Sequence, residues 1–112
     1  MNINFSGYNE NVVTFKVEEG TTVLMGTPVK MSSDCTVAPC ENDDTIAGVA
    51  VNVRNGYAAV ELSGYIEMPA ESKIEVGYVP LVSAGDNKVK ESASGREYLV
   101  VTSTDSTVGF IL

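Results

Sequence analysis

The stretch that decides the fold is residues 49–62, which read VAVNVRNGYAAVEL. Its centre, Asn55-Gly56, predicts a two-residue type I′ turn, because both residue types tolerate the positive φ that this turn requires. On either side of the turn, apolar residues alternate with other residues, as in a half-buried antiparallel hairpin. The register that follows pairs Arg54 with Tyr57, Val53 with Ala58, Asn52 with Ala59, Val51 with Val60, Ala50 with Glu61 and Val49 with Leu62. We therefore expect this hairpin to lie at the centre of the core, with Glu61 on the face away from the valines.

The rest of the chain continues the same pattern of short strands. No window places apolar residues at helical spacing for long, whereas runs rich in Val, Ile, Thr and Tyr recur between turn residues. The predicted fold class is all-β: a small β-clip or β-barrel-like domain of short antiparallel strands. The candidate strands are Val12 to Val17, Val23 to Leu24, Val29 to Met31, Thr36 to Ala38, Ile46 to Val53, Tyr57 to Met68 with a break near Ser63-Gly64, Val79 to Val82, Lys88 to Lys90, Tyr98 to Thr102 and Val108 to Leu112.

Length and charge limit the domain count and the partners. A chain of 112 residues fits one domain, which we place at residues 12–112. Its seven Lys and Arg residues against fifteen Asp and Glu residues give a net charge of −8, and no basic run could follow a phosphate backbone. We therefore expect no nucleic acid partner, and the shortage of catalytic groups described below predicts no small-molecule substrate.

Residues 1–11 differ from the rest of the chain. They are polar with isolated Phe5 and Tyr8, too few apolar residues to fold alone, and we predict a flexible N-terminal arm. The arm either frays or orders against a partner by adding a strand to its sheet. The segment lacks the charged and apolar regions of a signal peptide, and nothing in the chain approaches the length of a membrane span. We expect synthesis in the cytoplasm and no membrane partner.

The sequence carries little catalytic chemistry. Histidine is absent, so the Ser and Cys nucleophiles lack their usual base, and a zinc site would lack ligands. We predict no enzyme activity, no cofactor and no metal. Cys35 and Cys40 are expected to be free thiols, although a local disulfide stays open. Val29-Lys30-Met31 partly matches the Ala-Met-Lys-Met turn of biotin or lipoyl carrier domains, which makes a modified Lys30 a minor alternative.

From Asn11 onward the layout resembles the capsid decoration, or head-cement, proteins of tailed bacteriophages and prophages. The resemblance lies in spaced glycines and apolar positions across nearly the whole chain: Val13-Thr14-Phe15-Lys16-Val17, Gly20, Gly26-x-Pro28-Val29, Thr36-Val37-Ala38, Ile46-Ala47-Gly48-Val49, Gly56-Tyr57-Ala58-Ala59-Val60, Gly64-Tyr65-Ile66, Gly77, Pro80-Leu81 and Gly109-Phe110.

This resemblance implies a non-enzymatic structural protein of the virion. Such proteins bind the major capsid protein on the outer face of the expanded head, commonly as homotrimers at three-fold positions. An N-terminal arm often clamps neighbouring capsid subunits, and the corresponding segment here is 1–11. The alternative function is a generic protein-binding β-module of a surface or secretion apparatus.

Five aromatic residues are the candidate partner-binding residues. Two lie in the arm, and the three tyrosines of the domain are candidates because tyrosine is enriched at protein interfaces. The competing interpretation of each tyrosine in the domain is half-buried packing within a strand. The candidates are Phe5, Tyr8, Tyr57, Tyr65 and Tyr78.

Overall fold

A computed structural model describes residues 11–112. These residues form ten strands and no helix, which confirms the predicted all-β class. The strands are β1 (Asn11–Val17), β2 (Pro28–Ser33), β3 (Thr36–Pro39), β4 (Gly48–Arg54), β5 (Tyr57–Ser63), β6 (Tyr65–Pro69), β7 (Gly77–Gly85), β8 (Lys88–Glu91), β9 (Arg96–Ser103) and β10 (Thr107–Ile111).

The first five strands close into a barrel in the order β1-β3-β2-β4-β5. Closure follows because β1 pairs with β3 on one side and with β5 on the other. The barrel-like fold predicted from the sequence is thus confirmed. One pair departs from the expected antiparallel arrangement: β1 and β3 run parallel, with Lys16 opposite Thr36. A closed barrel leaves no free strand edge, which removes the usual route to edge-to-edge aggregation.

The β4–β5 hairpin confirms the predicted turn, and its register is right for the first three pairs. Asn55 and Gly56 have φ values of 51° and 80°, as a type I′ turn requires. Beyond Asn52 the predicted register is wrong, because a β-bulge at Val51 shifts the pairing by one residue. The observed partners are Ala50 with Val60 and Val49 with Glu61 in place of Val51 with Val60, Ala50 with Glu61 and Val49 with Leu62.

The physical reason for the bulge is that β4 lies between two cores. Ala50 packs with Val60 inside the barrel, whereas the adjacent Val49 packs into a second core outside it. The bulge lets β4 serve both cores, and it brings the buried Glu61 beside Val49. Gly48 permits the close approach of the two strands, since a Cβ there would lie 2.5 Å from the Glu61 carbonyl oxygen.

The last five strands form an antiparallel sheet in the order β6-β10-β9-β7-β8. Its inner face supplies most of the second core, including Tyr98 and Phe110, whose ring centroids lie 5.3 Å apart. The barrel half contributes Cys40, Ile46 and Val49 to the same core. The two sheets are therefore joined through shared apolar packing.

Polar contacts at residues 40–47, the connection between β3 and β4, reinforce this junction. The Asp43 amide donates to the Ser83 carbonyl at 2.8 Å, and the Ser83 amide donates to the Asp44 carbonyl at 3.0 Å. The buried hydroxyl of Tyr98 donates to the Ile46 carbonyl at 2.9 Å. The connection is thus fixed to the second sheet by both backbone and side-chain hydrogen bonds.

Three predicted boundaries need correction. The strand predicted from Ile46 begins at Gly48, because Ile46 and Ala47 belong to the connection that precedes β4. Val23 to Leu24 is not a strand, because the Thr27 amide and hydroxyl hold this segment in a turn with Leu24, and the Gly26 amide donates to Ala50 on β4. Asn11, assigned to the arm, is the first residue of β1 and pairs with Ser63. The rest of the predicted arm, residues 1–10, lies outside the described residues.

Candidate protein-binding faces

The described part of the chain offers exposed surfaces that could bind a partner. Within residues 11–112 no group of three or more Cys, Asp or Glu side chains is placed to hold a metal ion. In the same range no helix is long and apolar enough to cross a membrane. The hollows on its surface are open, so the exposed faces are the candidate sites for a partner.

The first face is the outer surface of the barrel across β1, β5 and β4, and we call it the barrel face. Residues opposite each other on paired strands point to the same side of a sheet. One row across the three strands is Lys16, Tyr57 and Arg54, and the next is Thr14, Ala59 and Asn52. Together these six residues define the barrel face.

Tyr57 is the centre of the barrel face. Its side chain is 54% exposed, and the Asn55-Gly56 turn fixes its position at the first residue of β5. Open hollows lie on both sides of the ring: one is lined by Thr14, Asn52 and Arg54, and the other by Lys16 and by the loop that follows β1, which includes Glu18 and Glu19. Tyr57 therefore stands as a ridge that a partner could contact from two sides.

The barrel face carries two cationic side chains. Lys16 and Arg54 flank Tyr57, and neither forms an ion pair with another residue of 11–112. By comparison, Lys30 pairs with Asp44 at 2.8 Å and Lys90 pairs with Asp43 at 2.8 Å. The six residues of the barrel face include two cations, and the exposed Glu18 and Glu19 line the adjoining hollow beside Lys16.

The second face is the outer surface of the second sheet, and we call it the apolar row. Tyr78 on β7 lies opposite Leu99 on β9, Leu99 opposite Ile111 on β10, and Ile111 opposite Tyr65 on β6. Tyr78 is 72% exposed, whereas the other three are partly buried. Two of the predicted tyrosines thus terminate one row of apolar side chains.

Tyr65 is held more firmly than Tyr78. Its hydroxyl donates to a carboxylate oxygen of Glu67 at 2.8 Å, and its ring covers Gly109, where no Cβ obstructs it. Burial, with the Glu67 hydrogen bond and charge as further causes, raises the pKa of Tyr65 to about 12. This phenol stays protonated at physiological pH, and its position matches the interpretation as strand packing.

The predicted binding residues therefore do not converge on one site. Tyr57 belongs to the barrel face, Tyr65 and Tyr78 belong to the apolar row, and Phe5 and Tyr8 lie outside the described residues.

The sequence analysis did not identify Lys16, Arg54, Leu99 and Ile111 as neighbours of these tyrosines. The Asn55-Gly56 turn could have revealed Arg54, because it sets Arg54 opposite Tyr57. The other three neighbours depend on long-range strand pairing, for which the sequence carries no local signal.

Lys30 lies in the interior of β2, whereas a carrier domain would present its lysine at an exposed turn. Its ammonium group pairs with Asp44, and the two side chains are 34% and 29% exposed. The hydrogen bond and charge of Asp44 raise the pKa of Lys30 despite partial burial, which makes the amine a weaker nucleophile at neutral pH. These contacts disfavour the carrier alternative.

Cys35 and Cys40 flank opposite ends of β3. At about 3.3 Å per residue along a strand, their Cα atoms lie far beyond the roughly 7 Å that a disulfide allows. Cys35 is exposed and Cys40 is buried, and both are free thiols as predicted. Burial removes the Cys40 sulfur from solvent and raises the pKa of its thiol to about 12, whereas the Cys35 sulfur is accessible.

Comparison with known proteins was made by sequence and by structure. Neither a protein-family model nor a curated protein matches the chain. Among solved structures, the chain is similar to the crystal structure of the head fiber gp8.5 N base in bacteriophage phi29, with a TM-score of 0.62. The match covers 92% of this chain and 93% of that chain at 17% sequence identity, so the likeness is one of fold. The resemblance to a phage head protein is confirmed at that level: this chain has the fold of a bacteriophage head fiber base.

Proposed function

We propose that this chain is a non-enzymatic structural protein of a tailed-phage virion, which binds the outer surface of the capsid and stabilises the expanded head. The observation that carries the proposal is the fold shared with a phage head fiber base over nearly the full length of both chains. That likeness supports a virion location and a structural role. Capsid binding, a head-cement role and a homotrimeric state are the finer parts of the proposal.

The physical basis of stabilisation is mass action. A protein that binds the assembled, expanded shell but not its separated subunits shifts the equilibrium toward the shell. The major capsid protein is the partner that such a role requires. Exposed aromatic side chains such as Tyr57 and Tyr78 suit contact with a protein surface better than reaction with a small molecule.

The first experiment mixes the purified protein with expanded heads of the phage or prophage that encodes it and measures co-sedimentation. We expect saturable binding and a higher disruption temperature of the decorated heads. Protein that stays in the supernatant at all concentrations would contradict the proposal. A gene located within a metabolic operon, away from a major capsid gene, would also count against it.

A truncation tests the role of the N-terminal arm. Removal of residues 1–10 leaves Asn11 and the whole of β1 in place, so the barrel is preserved. We expect this variant to fold with an unchanged melting temperature and to lose most of its binding to heads. Light scattering on the full chain tests the homotrimer, and a monomeric mass at micromolar concentration would contradict that part.

A further inference from the structure

We propose that the apolar row is an interface for a second copy of this chain, which packs on it as the second sheet packs on the equivalent row of the barrel. The inference deepens the homotrimeric part of the proposed function, because it assigns the surface through which copies associate. It depends on an internal repeat: β1–β5, which we call the first unit, and β6–β10, the second unit, are two versions of one five-stranded structure.

The order of the strands is the same in both units. The barrel has the order β1-β3-β2-β4-β5 and closes where β5 pairs with β1. The second unit has the order β6-β10-β9-β7-β8, and a parallel bridge between Ala70 and Val89 brings the end of β6 beside β8. Followed from β6 through this bridge, the order is β6-β8-β7-β9-β10, which is the barrel order with five added to each strand number. The bridge is parallel, as is the pairing of β1 with β3.

The register of the second hairpin of each unit also repeats. Val49 pairs with Glu61, and Leu99 and Ile111, each 50 positions later, pair with each other. The same shift converts every pair between β9 and β10 into a pair between β4 and β5. The bulge of β4 recurs in β9, at Val101. Since this bulge depends on packing, its recurrence indicates that the two hairpins are equivalent.

The other strand pairs follow the same rule. Val29 pairs with Pro39, and Leu81 and Glu91, each 52 positions later, pair with each other. All four pairs of this hairpin recur in the second unit, together with its bulge. Each pair of β6 with β10 likewise has a counterpart between β1 and β5. The exception is the pairing of β7 with β9, whose register is shifted relative to that of β2 with β4.

One substitution explains why the second unit closes less completely than the barrel. The Lys16 amide donates a hydrogen bond to the Cys35 carbonyl at 2.9 Å, across the seam between β1 and β3. The counterpart of Lys16 is Pro69, which pairs with Thr107 as Lys16 pairs with Tyr57. Proline has no N–H to donate, so the seam between β6 and β8 lacks this hydrogen bond.

The repeat makes the apolar row the counterpart of a row on the barrel. Leu99 and Ile111 correspond to Val49 and Glu61. Val49 and Glu61 are 3% and 4% exposed, and Val49 packs in the core that the second sheet mainly supplies. Leu99 and Ile111 are partly exposed, and the neighbouring Tyr78 is 72% exposed. The second unit therefore packs on this row of the first unit, whereas the same row of the second unit stays open within residues 11–112.

A second copy is the occupant that the repeat favours. In proteins built from repeats, each unit buries its apolar face against the next, and a unit without a neighbour needs a polar outer face to stay soluble. No third unit follows within residues 11–112, yet the second unit presents an apolar row in place of a polar face. We therefore assign the open row to the first unit of another copy. Such a head-to-tail contact can close into a ring, as a homotrimer requires.

The charges around the row predict how salt affects this contact. The chain has a net charge of −8, so copies repel one another over most of their surface. The side chains of the apolar row are uncharged, but Glu67 and Glu97 lie on the neighbouring rows, two positions from Tyr65 and Leu99 on the same strands. Salt screens repulsion between copies and leaves apolar burial intact, so it should tighten the association.

The experiment measures the mass of the protein by light scattering during size exclusion, over a dilution series. The test variant is Tyr78→Glu, whose side chain is exposed, so the fold should be retained. The matched control is Ala93→Glu, which adds the same charge at an exposed position in the loop between β8 and β9 of the same unit. A second test variant, Leu99→Lys, places a charge in the row but makes the net charge less negative, so general repulsion cannot explain a loss.

We expect the wild type to exceed the monomer mass of 11.9 kDa and to dissociate on dilution. Tyr78→Glu and Leu99→Lys should weaken self-association at least about tenfold, as loss of a central interface residue does. Ala93→Glu should associate within about threefold of wild type, since a charge outside an interface acts only through screened interactions. Circular dichroism should show the same fold in all four proteins. Raising the salt from about 0.1 M to about 1 M should strengthen association of the wild type.

The outcomes separate the inference from the proposed function. A wild type that stays monomeric at all concentrations would overturn the inference, even if it binds expanded heads. Unchanged association in both row variants, or an equal loss in Ala93→Glu, would overturn the assignment to the apolar row. Row variants that associate normally but no longer co-sediment with heads would show that the row contacts the capsid instead. If copies associate through the row but the wild type does not bind heads, the inference stands and the proposed function is wrong.

Discussion

Replacing Tyr98 with Phe should destabilise the protein, because it removes one buried hydrogen bond between the second sheet and the connection that precedes β4. Tyr98 is 2% exposed, and its hydroxyl donates to the Ile46 carbonyl at 2.9 Å. The substitution keeps the ring, its contact with Phe110 and its position beside Arg96, so it removes little beyond the hydroxyl. A net hydrogen bond contributes about 1 kcal/mol, and a buried carbonyl left without its donor adds to the loss.

We therefore expect the free energy of unfolding to fall by about 1 to 2 kcal/mol, measured by urea denaturation. For a domain of this size, the melting temperature should fall by about 4 to 8 °C. Amide hydrogen exchange adds a local readout: the Ser83 amide, which donates to the Asp44 carbonyl across the same junction, should exchange faster in Tyr98→Phe.

The matched control is Tyr78→Phe, which removes the hydroxyl of a tyrosine that is 72% exposed. This hydroxyl forms no hydrogen bond within residues 11–112, so the control should change stability by less than about 0.5 kcal/mol. If Tyr98→Phe proves as stable as Tyr78→Phe, the Tyr98 hydroxyl does not hold the sheets together, and the account of the junction is wrong.

Three further predictions concern the turn, the thiols and the ion pair. Gly56→Ala should lower the free energy of unfolding by about 1 to 2 kcal/mol, because φ is +80° at this position and a Cβ disfavours that conformation. An unchanged midpoint of urea denaturation would argue against the type I′ turn. In the native protein, DTNB should react rapidly with Cys35. Cys40, whose thiol is buried and has a pKa of about 12, should react only after unfolding. Two thiols that react rapidly in the native protein would contradict the burial of Cys40. Asp44→Asn should lower stability at pH 7, and the loss should shrink as pH falls: the hydrogen bond from Lys30 depresses the pKa of Asp44 in the folded state, so the stabilisation is complete above the unfolded pKa of about 3.9 and is lost as pH falls through the lower folded value. Urea denaturation of both proteins from pH 7 into the acid range checks it, and a stability difference that does not shrink below the unfolded pKa would refute the ionic contribution.

The sequence predicts local structure well where a turn determines it. Asn55-Gly56 fixes both the hairpin and its first three pairs, because the turn type and the register are coupled over a few residues. The register fails at Val51, where the bulge depends on packing rather than on local preference. Val49 and Ala50 are both small apolar residues in an alternating run, and nothing in that run reveals that they enter different cores.

The arrangement of strands in space is harder to predict from sequence patterns than a local turn is. The apolar row exists because β6, β10, β9 and β7 are neighbours in that order, although Tyr65 and Ile111 lie 46 positions apart in the sequence. The barrel face likewise depends on the pairing of β1 with β5, which brings Lys16 opposite Tyr57. The chain can be identified as all-β with exposed tyrosines from residue types alone, but the neighbours of those tyrosines require long-range pairing.

The most direct test of capsid binding is electron cryomicroscopy of expanded heads incubated with the purified protein. The account predicts added density on the outer surface of the shell, at positions shared by neighbouring capsid subunits, into which the barrel and the second sheet can be fitted. Heads without added density, or with density on the inner surface, would contradict the proposed function.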